Sequence, residues 1–167
     1  MDEFTKEIIT QKVTLAIKEK YFQEVNKERK VTLDIAKKLM KAVEEKAESM
    51  NLNITVAISN EAGSCIAVHF MDGALPISLD VAMKKAYTVA ALRMTTEELG
   101  RLVQPGKPFY GLQSSDNRII TFGGGCPLKV QGEVIGGIGV SGSTVENDKE
   151  LAEYGIKIFN KLLKNVE

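Results

Sequence analysis

Residues 53–71 read NITVAISNEAGSCIAVHFM. Side chains alternate in character through 53–59 (NITVAIS) and again through 64–71 (SCIAVHFM), the pattern of half-buried strands, and Asn60 to Gly63 between them has hairpin-turn composition. A parallel crossover needs about a dozen residues, so this short connection makes the two strands antiparallel. Downstream, 118–122 (RIITF), 127–131 (PLKVQ) and 133–140 (EVIGGIGV) read as three more strands, with Gly132 in a tight turn between the last two. Hairpin-joined strands with helices at intervals predict an α+β fold on a five-stranded antiparallel sheet, not a doubly wound parallel one.

Helices fill the intervals. Thr32 is placed to cap a helix over 32–50, with Asp34 in its first turn and Ile35, Leu39, Val43 and Ala47 recurring every four residues. Ser78 is the expected cap of a second helix reaching about Met94. Within it, Asp80 and Lys84 have the spacing of an i,i+4 ion pair, and Ala82, Ala86 and Ala90 form a stripe of small residues against which something packs closely. Thr95 and Glu98 form a capping box for a short helix that must stop before Pro105, Gly106 and Pro108, and Ser143 and Glu146 box a closing helix to about Leu163.

Glycine is absent before Gly63, and the early part of the chain reads helical. In residues 1–30, Phe4, Ile8, Leu15 and Phe22 make one apolar stripe and Ile9, Val13 and Ala16 a second, with Lys12 and Glu19 between. These residues read as an amino-terminal helical extension that either contacts two partners or is a mobile appendage; residues 31–167 form the domain proper.

Composition narrows the class. With 44% apolar and 26% charged residues the chain is expected to fold around one core. Lys plus Arg and Asp plus Glu each number 22, so no net field draws in a polyanion, and no nucleic-acid partner is expected. No apolar run approaches the roughly 20 residues of a membrane span, and Met1 leads into Asp2, Glu3 and Lys6, which is no secretory signal; the expected location is cytoplasmic. Cys65 and Cys126 stand apart from any C-x-x-C pair, and both are expected to be free thiols behaving as small buried hydrophobes.

Five motifs in order resemble one family: His69–Ala74 (HFMDGA), Ala82–Thr88 (AMKKAYT), Pro105-Gly106 with Phe109–Leu112 (FYGL), Phe122–Leu128 (FGGGCPL) and Gly132–Gly142 (GEVIGGIGVSG). Over about residues 31–164 the chain is similar to the GlcG/HbpS family, which includes the carboxy-terminal domain of PduO. The resemblance implies a profilin-like three-layer α/β/α fold, homo-oligomers, and haem held near subunit interfaces. It does not imply cobalamin adenosyltransferase activity, because that chemistry resembles the work of a separate domain that 30 residues cannot supply.

Several residues are candidates for a cofactor site. His69 is the chain's one histidine, which rules out a two-histidine zinc or facial-triad site within a subunit. By strand parity it points with Cys65, Ala67 and Met71, away from Ile66, Val68 and Phe70, onto a less apolar face. With haem as the implied cofactor, His69 or Met71 is the candidate axial ligand, the alternative being an ordinary strand histidine. Phe122-Gly123-Gly124-Gly125 either forms an anion-binding nest for a propionate or phosphate or makes a sharp bend; it is no P-loop. In the last strand Gly137 and Gly139 share a face that admits a close neighbour, expected to be a helix.

Lys85 falls on a helix side where a charge is unexpected unless it snorkels to solvent or meets an anion. Asp72 precedes Gly73 in a turn, and Tyr110 either stacks on a ligand or anchors its loop. No catalytic constellation is evident. The leading expectation is a haem-binding or haem-handling accessory protein for diol or glycolate catabolism, cytoplasmic or inside a bacterial microcompartment. One alternative is a non-catalytic interaction module that meets shell or pathway enzymes through residues 1–30. The other is a small enzyme whose Lys85 and glycine triplet grip an organic acid or cofactor.

Overall fold

The computed structural model describes residues 30–164, together with Glu7, residues 11–15 and Ile17. The chain divides into two compact units, 1–30 and 31–167. In the first, the described positions are helical, and Val13 and Leu15 are exposed. The stripe residues Phe4, Ile8, Ile9, Ala16 and Phe22 lie outside the described residues.

The second unit runs α1 (Leu33–Ser49), β1 (Thr55–Asn60), β2 (Cys65–Phe70), α2 (Pro76–Leu92), α3 (Thr96–Leu102), a 3-10 turn (Leu112–Ser114), β3 (Gly125–Val130), β4 (Glu133–Ser141) and α4 (Val145–Lys164). The strands form one antiparallel sheet in the order β2-β1-β4-β3. Asn60 closes the first hairpin: its Oδ1 accepts the N–H groups of Ala62 (3.0 Å) and Ser64 (2.9 Å), and Gly63 takes φ +78°, which a side chain resists.

The sheet has four strands rather than five. Residues 118–122 have strand composition, but their polar backbone is satisfied elsewhere. The Ile120 N–H donates to Thr88 Oγ1 (2.9 Å), the same hydroxyl reaches the Arg118 carbonyl (3.2 Å), and the Thr121 carbonyl lies where a side chain at Gly100 would stand. A side chain of α2 and a bare spot on α3 thus take the place of a neighbouring strand.

Alternation along β1 sorts the layers. Val56 and Ile58 join Ile138, Val140 and Leu128 on one face, under Leu39, Met40 and Val43 of α1 and Leu151 and Phe159 of α4. On the other face Ala57 packs with Ala82 and Ala86 of α2. There the approach is at backbone distance: a Cβ on Gly137 or Gly139 would run into the carbonyls of Ala86 or Ala82. The expected close neighbour of these glycines is therefore a helix, and the alanine stripe is its matching surface.

Caps explain the helix ends. Thr32 accepts from the Ile35 N–H (3.2 Å) and Thr95 from the Glu98 N–H (3.1 Å), as their spacing predicts. Asp80 and Lys84 pair at 2.8 Å. Two caps differ from expectation. The second helix begins at Pro76, whose missing N–H costs nothing in a first turn, and Ser78 instead bonds Thr55 Oγ1 across the α2–β1 interface (2.7 Å). At α4, Thr144 rather than Ser143 accepts the Asn147 N–H (3.2 Å), and the Ser143 hydroxyl instead accepts from the Asn147 side-chain amide (2.9 Å).

Candidate functional site

β2 is an edge strand, and His69 sits near its end. Pairing with Val56 turns its side chain to the α1 side of the sheet, with Ala67 opposite Ile58 two residues before it. Parity is as expected from Ala67 to Met71, but a bulge opposite Ile58/Ser59 breaks it at Cys65, Ile66 packs against the main core, and this side is the main-core side and not a polar one. Nδ1 of His69 lies 2.8 Å from Glu44 Oε1 on α1, with the imidazole 40% exposed. An ionised carboxylate only accepts, so the proton of a neutral ring is on Nδ1 and the Nε2 lone pair is left for another partner. Met71 is partly buried against the core. Asp72 is exposed in the turn closed by the Ala74 N–H on the Met71 carbonyl (3.0 Å), with Gly73 at φ +80°, and turn-making accounts for it.

The remaining candidates gather elsewhere. Lys85 does not snorkel. It is fully buried, and its Nζ donates to Asp148 Oδ2 (2.9 Å) and to the Val140 carbonyl (2.7 Å), with the Phe122 ring centroid 4.9 Å away. The anion it meets is the protein's own. Burial pushes the Lys85 amine down and the Asp148 carboxyl up, and each opposes the shift in the other by its charge.

The glycine triplet wraps this pair. A Cβ on Gly124 (φ +110°) would meet Lys85 Nζ at 2.6 Å and the Val140 carbonyl at 2.6 Å, and one on Gly123 would meet Val145 Cγ1 at 2.9 Å. The Gly125 N–H is already given to Thr96 Oγ1 (2.9 Å). The triplet is a bend seated on α2, α3 and α4, which removes the anion grip expected of Lys85. Phe122 is 42% exposed and Tyr110 67%; Tyr110 belongs to a chain of turns in which its N–H donates to the Lys107 carbonyl (3.1 Å).

The two groups of candidates do not converge. His69, Val56, Val140 and Gly124 lie in one row across the sheet. Three strand spacings of about 4.8 Å separate the ends by roughly 14 Å, and Lys85 approaches from the α2 face while His69 points to the α1 face.

Sequence reasoning missed Glu44 and Asp148. Asp148 had a signal, because a lysine on a buried helix face demands a counter-ion. Glu44 had none beyond lying next to Val43 on the buried stripe of α1. Also unforeseen was the cluster on α2 in which Tyr87 donates to Asp116 Oδ2 (2.9 Å) while Arg118 forks onto Asp116 (2.7 Å) and stacks over the Tyr87 ring (3.9 Å). This cluster fastens the 103–124 connection to α2.

The cysteines part company. Cys65 is exposed, against expectation, because it opens an edge strand; Cys126 is buried, and desolvation pushes its thiol up to about 12. A disulfide-exchange reagent is expected to titrate one thiol of the folded protein readily and the second only after unfolding. Equal fast reaction of both would contradict the buried position of Cys126.

Among the described residues, no helix is long and apolar enough to cross a membrane and no group of three or more His, Cys, Asp or Glu side chains is placed to hold a metal ion. Comparison with known proteins supplies the family. The chain is 43% identical over 133 residues to an uncharacterised 15.0 kDa protein of the dhaT-dhaS intergenic region of Citrobacter freundii, covering 79% of this chain and 94% of that one. It is 38% identical to the corrinoid adenosyltransferase PduO of Salmonella typhimurium, over 73% of this chain but 37% of PduO, so it spans little more than a third of that protein. Among solved structures, the PduOC:heme complex is 36% identical with a TM-score of 0.74, over 77% of this chain and 94% of that one. With residues 31–157 also matching the family model described as haem degrading protein HbpS-like, the chain belongs to the HbpS-like family.

Proposed function

We propose that this protein binds haem through Nε2 of His69 on the edge strand of the sheet. The observation that carries the reading is the Glu44–His69 pair: the 2.8 Å contact occupies Nδ1 and fixes the ring, as the outer partner of a metal-ligating histidine does. The donor set fits haem iron, which takes one imidazole from a protein face and needs no cluster of ligands. Haem, when bound, would supply a redox-active iron. The chain's own part is to hold the imidazole in one tautomer and orientation.

The relative solved as a heme complex supports the reading. Phe70, Leu75, Ile77 and Leu79 are exposed on the α2 side of the edge strand, away from His69, and offer apolar surface to a second copy. This reading includes a homo-oligomer in which a second copy covers that edge and the haem lies near the interface. It also includes an accessory role in diol or glycolate catabolism, in the cytoplasm or a microcompartment, with residues 1–30 as the contact to shell or pathway enzymes. The likeness to part of PduO supports that placing.

Hemin titration followed by the Soret band tests the ligand. His69→Ala is expected to weaken binding at least about tenfold, the loss that even an outer-shell partner of a metal ligand causes. Light scattering on the same samples is expected to show assemblies larger than one chain. Hemin binding unchanged in His69→Ala removes His69 from the site, and no Soret shift in the unsubstituted protein removes haem.

A further inference from the structure

We infer that Glu44 is a positioning residue that sets the oxidation state preferred by iron bound at His69, holding it ferric. The inference rests on the haem reading above and deepens it. Glu44 Oε1 accepts from Nδ1 at 2.8 Å, and the carboxylate is only 24% exposed. Water therefore screens it less than a free surface charge. A carboxylate at that distance draws the Nδ1 proton toward itself and leaves more electron density on Nε2. Such a ligand is a stronger donor, and it favours the more positively charged ferric iron over ferrous.

The placement is specific. Glu44 comes from α1 and His69 from β2, 25 residues apart, and the sheet register that faces His69 toward α1 also pairs it with Val56 of the core. The pair is thus held by the packing of two elements, so donor and acceptor keep their separation without help from the ligand.

The test is Glu44→Gln, which keeps an oxygen acceptor of the same reach and removes the charge. In spectroelectrochemical titration of the hemin-loaded full chain, its midpoint potential is expected to rise. A tenfold loss of ferric over ferrous preference corresponds to about 59 mV for a one-electron couple. Resonance Raman of the ferrous form is expected to show a weaker iron–histidine stretch at lower frequency than in the unsubstituted protein, a signature that a change in folding stability does not produce. If hemin binding depends on His69 but the potential and the stretch are the same in Glu44→Gln, the inference fails while the haem reading stands. If His69→Ala binds hemin unchanged, the haem reading through His69 fails first, and this inference goes with it.

Discussion

Lys85→Met is expected to lower the stability of the domain by about 3–5 kcal/mol, the usual cost of breaking a buried ion pair from one side. At this chain length that is a fall in Tm of about 10 °C. Methionine is unbranched and only one atom shorter, so the loss is mainly electrostatic rather than a cavity. It leaves the Asp148 carboxylate almost fully buried without its ammonium and the Val140 carbonyl without the donor at 2.7 Å. Asp148→Leu is expected to cost a similar amount, since Lys85 is fully buried and the Ser143 N–H loses its acceptor as well.

The pair Lys85→Met with Asp148→Leu is expected to be less damaging than the two single changes summed, because no unpaired charge remains inside. Chemical denaturation of the three variants measures this. Additive losses would mean that each group is stabilised separately by its backbone partners, and that the contact at 2.9 Å contributes nothing of its own.

Gly139→Ala is the second large effect. Here the backbone is in an ordinary strand conformation, so alanine is conformationally acceptable and the cost is steric. A Cβ would collide with the Ala82 carbonyl and stand 2.6 Å from the Ala86 amide nitrogen. Both are backbone atoms of α2, which cannot rotate aside as a side chain tip would. The helix must lift from the sheet, separating Ala57 from Ala82 and Ala86 and straining the Ser59 Oγ bond to the Ala86 carbonyl (2.9 Å).

Overpacking of this kind costs about 1–3 kcal/mol when side chains absorb it, and the rigid neighbour puts Gly139→Ala at the upper end or beyond. Gly132→Ala supplies the contrast, because Gly132 has φ +85° and no atom near its Cβ position. It is expected to lose only the roughly 1–2 kcal/mol of a left-handed backbone. A Gly139→Ala variant as stable as the unsubstituted protein would show that α2 does not sit on the sheet at backbone distance.

Much of this fold was legible before any coordinates. Hairpin turns of a few residues force antiparallel neighbours, and alternation along 53–59 and 64–71 placed β1 and β2 to within two residues. Strand parity put His69 with Ala67, as observed, and bare glycines in β4 announced a helix. Residues 118–122 were misread because a run of β-formers is only potentially a strand: whether it pairs depends on what else offers hydrogen bonds. Thr88, about thirty residues earlier in the chain, made that offer first.

The candidate site was legible in its residue types and not in its grouping. His69 stands out in the sequence as the lone histidine and Lys85 as a charge on a buried helix face. Their partners were hidden, since Glu44 and Asp148 lie 25 and 63 residues away and contact at that range leaves no local pattern.

The order of strands and helices, the hairpins and the glycine-for-helix fit were written into the chain itself, because periodicity, turn chemistry and the absence of a Cβ act over neighbouring residues. Which charge meets which, and that His69 and the glycine triplet stand three strands apart in one sheet, were decided by tertiary packing alone. Electrostatic partners are chosen by distance in space, and only the folded sheet sets that distance.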